Sequence, residues 1–353
     1  MKWKVLIVIM LSILLFACSN KEGDASDAEE KEAVPIPVEE TIEEIPLKPQ
    51  EPVEKTEPEI VAPLTGLEVD EELTNRIVAV MVNNFSAARP QTSLSKADIV
   101  FEILAEGNIT RFMALFHSEI PERVGPVRSA RPYYFNLADD YGAMYVYHGA
   151  IYFIEDMIKA GAADGLNGMY YDNDKVLFER STDRVAPHNS YAIFDGVFQR
   201  AEENGYEIES TYEPMLFSNE EVTGDPADDV QFSYGNYTVR YVYEENAQQY
   251  IRYSDGEQTV EYADSTPIEI SNVLILETDH KVVDEVGRRE IDMESGGNAL
   301  LLQKGKVQHV QWEQIDGRII PTVNGEPVPF VPGKTWINVI PMSPGIEGIA
   351  ITN

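Results

Sequence analysis

Cysteine is almost absent from this chain of 353 residues, because Cys18 is the only one. A single thiol cannot close an intrachain disulfide, so the folded part has to be stable through its packed core alone. The five histidines show no spacing typical of zinc ligands. We therefore predict that the chain holds neither a metal nor a cofactor.

Basic residues are also scarce, with 27 Lys and Arg against 61 Asp and Glu, a formal net charge of −34 and a pI near 4.4. Residues 1–18 carry +2 and residues 19–62 carry −10, which leaves −26 on residues 63–353. A chain this acidic repels nucleic acids and other polyanions as a whole. Nucleic acid is therefore excluded from the predicted partners.

Recognisable catalytic motifs are missing too. The chain has no Gly-x-Ser-x-Gly elbow and no phosphate-binding glycine loop. The run Asp172-Asn173-Asp174 begins like a calcium loop but lacks its glycine and terminal glutamate. Ser129 could form a nucleophile–base pair with His148 or His188 only if the fold brings them together. We predict a protein without enzymatic activity and keep an enzyme as the alternative.

The chain has one long apolar run, from Val5 to Phe16, with two lysines before it. The run is too short to span a bilayer, which takes about 20 apolar residues, and its layout is that of a secretory signal. Cys18 directly follows an alanine, which makes this junction a lipobox. We therefore predict a signal peptide over 1–17 and a lipid, including palmitate, on Cys18. That lipid would anchor the protein outside the cytoplasm, at the outer face of the cell membrane.

Residues 18–62 have the composition of an acidic tether. They contain no aromatic residue and six prolines: Pro35, Pro37, Pro46, Pro49, Pro52 and Pro58. Such a segment cannot bury enough apolar surface to offset the entropy of ordering, so we predict that it is disordered. Extended at up to ~3.1 Å per residue, it would hold the folded part about 100 Å from the lipid.

The remaining residues divide at a change of pattern into 63–218 and 219–353. In 63–218, apolar β-branched runs alternate with helical spacing, which predicts an α/β domain with a mostly parallel sheet. The predicted strands are 77–82, 112–116 and 143–147, and the predicted helices are 95–106, 131–141 and 151–160. The fold class predicted for the whole chain is α+β.

In 219–353, short strand-like runs are separated by turn residues, which predicts a mostly antiparallel β domain. The predicted strands are 237–243, 250–253, 273–278, 299–303, 307–312 and 336–340. Asp255-Gly256, Asp316-Gly317 and Asn324-Gly325 are strong hairpin signals.

Polar side chains cluster where the predicted strands of 63–218 end. They are Asn83, Asn84, Arg89 and Gln91 after the first strand, His117 and Ser118 after the second, and His148 and Gly149 after the third. In open α/β sheets, ligands bind at the carboxyl ends of the strands. We therefore expect these side chains to share one edge of the sheet. The alternative is that they are polar only because they lie in loops.

Residues 125–131, Gly-Pro-Val-Arg-Ser-Ala-Arg, are called the arginine turn below. Ser129 is a candidate N-cap for the next helix, whose N-terminus would favour an anion. Arg128 and Arg131 would add guanidinium groups suited to carboxylate or phosphate, with Arg111 and Arg123 nearby. The alternative is that these arginines pair internally with Asp98, Glu102 and Glu106, on one face of the predicted helix 95–106.

A second polar cluster consists of Arg180, Arg184, Pro187, His188 and Asn189. It would join the site only if the fold brings it to the same edge. The residues predicted to bind a ligand are Asn83, Asn84, Arg89, Gln91, Arg111, Arg128, Ser129, Arg131, His148, His188 and Asn189. No catalytic residue is predicted.

Several of these motifs, taken in order, resemble those of the YerB-like lipoproteins. They are Ile77–Asn84, Ala88–Gln91, Ala97–Ile103, Glu106–Arg111, Gly125–Arg131, Ala186–Asn189 and Pro332–Ile337. The resemblance implies a lipoprotein of a Gram-positive envelope with paired N- and C-terminal domains of unknown function. It supplies no reaction. The chain departs from the family pattern at Asn108, where a glycine is usual, and at Ala150-Ile151.

Three functions are compatible with these features. The first is binding of an anionic or sugar-containing wall ligand, or of a protein partner, at the arginine turn. The second is an enzyme of wall-polymer metabolism, because the arginine turn resembles in layout that of the LytR–CpsA–Psr phosphotransferases. The third is a structural adaptor that docks through its β domain, for which exposure of Trp312 or Trp336 would be the indication.

The lipid anchor gives a direct prediction. Replacing Cys18 with alanine removes the thiol that accepts the lipid, so we expect no incorporation of labelled palmitate and loss of the protein from the membrane fraction. The control is Ser19→Ala, which should leave both unchanged. Palmitate labelling of the Cys18→Ala protein would contradict the prediction.

Overall fold

The computed structural model of the protein describes residues 60–353, which belong to one compact unit. The predicted signal peptide, Cys18 and the tether up to residue 59 lie outside these residues. Within the described range, no helix is long and apolar enough to cross a membrane.

The first half of the folded chain alternates strands and helices. Its strands are β1 (Val78–Asn83), β2 (Ile99–Leu104), β3 (Thr110–Phe116), β4 (Arg123–Val124), β5 (Met144–Tyr147), β6 (Gly165–Asn167), β7 (Phe178–Arg180) and β8 (Ser190–Ile193). Its helices are α1 (Pro132–Asp140), α2 (Tyr152–Met157) and α3 (Phe194–Glu203), with 3-10 turns at Ser86–Ala88 and Leu94–Lys96 and a π-helical turn at Ile158–Ala162.

The second half is built from strands. They are β9 (Asp225–Pro226), β10 (Asp229–Tyr234), β11 (Tyr237–Glu244), β12 (Gln249–Ser254), β13 (Glu257–Gln258), β14 (Glu269–Ile270), β15 (Asn272–Thr278), β16 (His280–Val282), β17 (Arg289–Ile291), β18 (Gly297–Gln303), β19 (Lys306–Ile315), β20 (Arg318–Val323), β21 (Glu326–Pro327), β22 (Thr335–Pro341) and β23 (Ala350–Thr352). A 3-10 turn at Ile346–Gly348 precedes the last strand.

A twelve-stranded sheet runs through both halves, in the order β21-β20-β19-β18-β15-β22-β2-β3-β1-β5-β6, with β9 beside β19. Strand β22 lies parallel to β2 on one side and to β15 on the other, so main-chain hydrogen bonds join the two halves. The α+β class is confirmed. The N-terminal part of the sheet is mixed, since β5 is parallel to β1 and β6 whereas β3 is antiparallel to β1 and β2. The predicted domain boundary at residue 218 stays a prediction.

The helix predicted over 95–106 is wrong. A 3-10 turn at Leu94–Lys96 is followed by the central strand β2, whose six residues are all buried. A short apolar run that is buried on both faces has no clear period, and here its β-branched residues fit a strand better than a helix. Asp98, Glu102 and Glu106 therefore do not share a helix face.

The other main elements are found where the sequence predicts them. Helix α1 lies within the predicted helix 131–141, α2 together with the π-helical turn after it accounts for the helix predicted at 151–160, and each strand run predicted in 219–353 is a strand. Asp255, Asp316 and Asn324 have φ of 50°, 49° and 54°, and each is followed by a glycine that also has positive φ. This backbone geometry matches the turn that Asp-Gly and Asn-Gly favour in two-residue hairpins.

The large sheet buries both of its faces. On one face, the side chains of Val78, Val80 and Val82 join the six-stranded sheet formed by β10–β14 and β23, together with β4, β7, β8 and α3. On the other face, Ala79 and Met81 pack with α1 and α2. This alternation along β1 follows from the two-residue period of a strand.

A buried ion pair connects the two halves across the first of these faces. Glu102 on β2 and Arg252 on β12 are both 0% exposed, with 2.8 Å between Arg252 Nη2 and Glu102 Oε2. The guanidinium lies over the rings of Phe112 and Trp336, at 5.3 and 4.9 Å from their centroids. Burial is the largest effect and acts to lower the pKa of Arg252, but the Glu102 carboxylate, Tyr237 and Tyr241 together outweigh it and raise the pKa. The Arg252 guanidinium therefore stays charged although it is fully buried.

Removing one partner of this pair should be costly because the other charge stays buried. We expect Arg252→Met to lower the free energy of unfolding by about 3–5 kcal/mol, measured by urea denaturation. The double variant Glu102→Gln/Arg252→Met should recover part of the loss. The matched control is Lys281→Met, which breaks an ion pair with Glu290 whose side chains are 69% and 73% exposed and should change stability by no more than about 1 kcal/mol. Equal losses for the two single variants would contradict this account.

Two hairpin glycines provide a matched test of how the β19–β20 hairpin packs. Gly317 has φ +77°, and a Cβ added there would lie 2.5 Å from the carbonyl oxygen of Asp140 at the end of α1. Gly325 has φ +80° with no atom within 4 Å of such a Cβ. We expect Gly325→Ala to cost roughly 1–2 kcal/mol for its left-handed backbone and Gly317→Ala to cost at least about 1 kcal/mol more. Thermal unfolding of both variants would measure the difference, and equal losses would show that the hairpin does not contact α1.

Candidate functional site

The arginine turn lies between the ends of two parallel strands. Strands β1 and β5 pair only through Val78–Val80 and Met144–Val146 and then separate. The turn fills the gap, because Arg128 N donates to Met81 O at 2.9 Å and His148 N donates to Arg128 O at 3.0 Å. The carboxyl ends of diverging strands form the crevice where ligands bind in open α/β sheets.

Ser129 does not cap the next helix, so that prediction is wrong. Helix α1 begins at Pro132, its N-cap is Arg131, and no side chain caps it. The chain stays extended up to residue 130 because Ala130 N donates to Gly149 O at 3.0 Å. Among the described residues, the Ser129 hydroxyl has no hydrogen-bond partner, while its carbonyl oxygen accepts from Arg111 Nη1 at 3.0 Å.

Two of the predicted anion-binding arginines are paired internally. Arg111 Nη2 lies 2.8 Å from Glu106 Oε2, and Arg131 contacts the other oxygen of the same carboxylate. Both arginines are buried. The internal-pairing alternative is therefore right for Arg111 and Arg131, with Glu106 as the partner. Asp98 and Glu102 have other partners.

Arg128 is different from these two. It is partly buried, yet no carboxylate, hydrogen-bond acceptor or aromatic ring among residues 60–353 contacts its guanidinium group. Burial lowers the pKa of Arg128, and the positive charge of Arg111 lowers it further. An anion placed beside Arg128 would offset both effects.

The second polar cluster reaches the same crevice. Asn83 Nδ2 donates to His188 Nδ1 at 2.8 Å, and the ring of Phe85 stacks on that of His188 with centroids 5.2 Å apart and an interplanar angle of 11°. Burial lowers the pKa of His188, and the charges of Arg128 and Arg184 lower it further. His188 is therefore neutral at pH 7, with Nδ1 as the acceptor.

His148 belongs to a chain of polar contacts beside the turn. Its Nε2 lies 3.4 Å from Asp172 Oδ1, and Asp172 pairs with Arg180 Nε at 2.9 Å. Arg180 Nη1 then donates to Asn189 Oδ1 at 2.8 Å. Burial lowers the pKa of His148, partly opposed by Asp172. This chain of contacts places His148 and Asn189 beside the crevice, next to the arginine turn.

Asn84, Arg89 and Gln91 face the other side of β1. Asn84 Nδ2 donates to Thr110 Oγ1 at 2.8 Å and to Tyr237 Oη at 2.9 Å. Gln91 Nε2 donates to Asn83 O at 3.0 Å and to Asn84 Oδ1 at 3.2 Å, while Arg89 donates to Asn84 O. These polar groups are already bonded to the protein, away from Arg128.

The expectation that His117 and Ser118 share this edge is wrong. Strand β3 runs antiparallel to β1, and Phe116 at its end pairs with Val78 at the start of β1. The two residues therefore lie at the opposite edge, where the backbone N–H of each donates to Asp98 Oδ2 at 2.6 and 3.0 Å. Burial, partly offset by these hydrogen bonds, raises the pKa of Asp98 to about 6.

Three residues that were not predicted from the sequence, Asn167, Glu155 and Tyr147, form a hydrogen-bonded group that positions the backbone at Gly149, beside the crevice. Asn167 Oδ1 accepts from the backbone N–H groups of Gly149 and Met169, both at 2.9 Å. Glu155 Oε2 accepts from Asn167 Nδ2 and Tyr147 Oη, both at 2.8 Å. Asn167 ends β6, so its place after a predicted strand would have been the signal, but the short strand β6 was not predicted.

The geometry offers no nucleophile–base pair at the turn. His148 Nε2 faces Asp172 and His188 Nδ1 faces Asn83, and neither ring bonds to Ser129 in the part of the chain that the structure describes. No group of three potential metal ligands occurs among those residues either.

Two further sequence features have structural roles. Asp174 Oδ1 accepts the backbone N–H groups of three residues: Val176, Leu177 and Phe178. Trp312 and Trp336 are 0% and 1% exposed, so they are core residues and give no support for docking through the β domain.

Comparison with known proteins agrees with the sequence motifs. Residues 64–207 match the family model "Protein of unknown function (DUF3048) N-terminal domain", and residues 229–337 match that of the C-terminal domain. The chain is 44% identical over 297 residues to "Putative lipoprotein YerB" of Bacillus subtilis (strain 168), covering 82% of this chain and 88% of that protein. The crystal structure of the YerB protein from Bacillus subtilis matches with a TM-score of 0.77 and 42% identity, over 83% of this chain and 100% of that one. The resemblance read from the motifs is thereby confirmed, and the chain belongs to the DUF3048 family.

Proposed function

We propose that this protein is a cell-envelope lipoprotein that binds an anionic ligand at the crevice centred on Arg128. The observation that carries the proposal is the guanidinium of Arg128, which is partly buried and lacks a counter-charge among the described residues. The buried arginines described above do have partners, since Glu106 pairs with Arg111 and Arg131 and, on the other face of β1, Glu102 pairs with Arg252. A buried charge is costly unless it is paired, so a free one at a strand-end crevice favours a ligand that completes the pair.

The net charge of the chain makes the crevice around Arg128 more selective among anions. Residues 63–353 carry −26, so a polyanion is repelled at long range and is attracted only where positive charge collects locally. Arg128 and Arg184, whose charges both act on the neutral His188, form such a place. At about 0.15 M salt the screening length is ~8 Å, so the distant acids are screened while the contact with Arg128 is retained.

The proposal includes the location of the protein. The relative from Bacillus subtilis carries the name "Putative lipoprotein YerB", and Cys18 follows a signal-like run in this chain. A lipid on Cys18 and an extended tether would place the crevice among the polymers of the cell wall rather than at the membrane surface. Anionic wall fragments are therefore the ligands to test first.

Binding at Arg128 can be measured directly. Calorimetry of the purified protein with soluble anionic wall fragments should show binding that Arg128→Ala weakens at least about tenfold, because a hydrogen-bonded charge contributes about 1.5–3 kcal/mol. Arg128→Lys should recover only part of the affinity, since lysine lacks the planar fork. The control is Arg240→Ala, which removes an arginine that pairs with Asp229 on the C-terminal sheet and should leave affinity unchanged. Equal weakening by both alanine variants, or no binding to any wall fragment, would overturn the proposal.

A further inference from the structure

Five large apolar side chains are exposed in α2 and in the segment after β6, where the rings of Tyr152 and Phe153 lie 5.6 Å apart. Tyr152, Phe153 and Met157 of α2 are 75%, 42% and 43% exposed, and Met169 and Tyr170 after β6 are 61% and 60% exposed. We call these five residues the aromatic platform. Contiguous exposed apolar surface is rare on soluble proteins unless something binds to it.

The platform borders the arginine turn. A Cβ added to Gly149 would lie 3.3 Å from Met169 Sδ and 3.6 Å from Ser129 Oγ, so the methionine and the serine flank the same glycine. Tyr152 follows Gly149 by three residues, which span at most ~10 Å of chain. The exposed rings and the free charge of Arg128 are therefore close enough for one oligomeric ligand to reach both.

Two contacts position the Met169–Tyr170 part of the platform. Asn167 Oδ1 holds the backbone N–H groups of Gly149 and Met169 together, and Lys159 Nζ lies 4.9 Å from the centre of the Tyr170 ring. The lysine covers one face of that ring, and the ring is still 60% exposed. Fixed rings lose little conformational freedom when a ligand stacks on them.

We propose that the aromatic platform binds the sugar rings of an acidic polysaccharide whose anionic group pairs with Arg128. A sugar ring has an apolar face of C–H groups that stacks on a flat aromatic ring, and its hydroxyl groups need polar partners at the edge. Tyr152 and Tyr170 supply ring faces, and the unbonded hydroxyl of Ser129 supplies a polar partner beside them. This inference names the ligand class for the proposed function and rests on it.

A lipid surface fits the same features less well. The −26 carried by residues 63–353 opposes an anionic bilayer and an acidic polysaccharide alike, so net charge does not separate the two. Asp156 and Lys159 lie within the exposed helical segment, where a membrane-binding face would be continuously apolar. An acidic peptide would use Arg128 but would not require stacking on tyrosine rings. The test therefore includes a vesicle arm and a polypeptide arm.

The experiment compares four probes at 0.15 M salt on the purified chain from Ser19 onward, which lacks the predicted signal peptide and lipid anchor and keeps the whole compact unit. They are an oligogalacturonate, neutral chitohexaose, poly-glutamate, and vesicles that contain phosphatidylglycerol. We expect oligogalacturonate to bind most tightly, because it alone supplies both sugar rings and carboxylates.

Poly-glutamate binding at least as tightly as oligogalacturonate would overturn the polysaccharide assignment and leave the proposed function standing. Binding to vesicles alone would overturn the assignment in favour of lipid. Absence of binding to every probe would count against both proposals.

Variants separate stacking from charge. Tyr152→Ala and Tyr170→Ala should each weaken oligogalacturonate binding roughly fivefold, as expected for loss of one aromatic contact, and should leave poly-glutamate binding unchanged. Tyr170→Phe should bind like the unaltered protein. The control is Met342→Ala, which removes an apolar side chain that is 63% exposed after β22 and should have no effect. If both tyrosine variants keep full affinity for oligogalacturonate while Arg128→Ala loses it, the platform is not part of the site and the anion site still stands.

Discussion

The ion pair between Glu102 and Arg252 is the constraint around which the two halves of this protein are organised. Neither charge reaches solvent, and each is satisfied by groups from the other half of the chain. Glu102 Oε2 accepts from Trp336 Nε1 at 3.3 Å, while the Arg252 guanidinium lies over Phe112. A buried charge without its partner is strongly destabilising. Each family domain therefore depends on the other for the neutralisation of a charge in its own core.

The same pair affects the crevice through the end of β1. Asn84 donates to Glu102 Oε1 at 3.3 Å and to Tyr237 Oη at 2.9 Å, so its side chain is drawn to the face that holds the ion pair. Successive side chains of a strand point to opposite faces. Asn83 is therefore directed away from that face and meets His188. The end of β1 therefore contributes Asn84 to the polar network around Glu102 and Asn83 to the crevice around Arg128.

Elements that depend on neighbouring residues could be predicted from the sequence. Elements and contacts that depend on residues distant in the chain could not. Hairpins at Asp316-Gly317 and Asn324-Gly325 depend on the backbone preferences of the turn residues themselves, and both are present. The helix predicted over 95–106 is wrong at Ile99–Leu104 because both faces of this strand are buried, and one of its two neighbouring strands, β22, comes from far along the chain. The partner of Glu102 is 150 residues away, and no sequence spacing indicates such a contact.

The candidate site, too, could be predicted only as far as residue type and local sequence determine it. The arginine turn and the cluster at His188 could be identified from residue type, and the fold does bring them together. Which strand-end residues face the crevice depended on strand direction. His117 lies at the opposite edge because β3 is antiparallel. Asn84 and Gln91 were indistinguishable from Asn83 by type, and only the two-residue alternation and the network behind β1 separate them.

The difference in pairing between Arg128 and the buried arginines Arg111 and Arg131 bears on function. If Arg128 served only to stabilise the fold, an acidic chain would be expected to provide it with a carboxylate, as Glu106 does for Arg111 and Arg131. Acidic residues outnumber basic ones by more than two to one, so an available carboxylate is not the limitation. The backbone of Arg128 is nevertheless fixed from both sides by β1 and β5, which positions its side chain without neutralising it. A charge that is held in place and left unpaired within residues 60–353 is the arrangement expected of a binding group, because the pairing energy is then released when the ligand arrives.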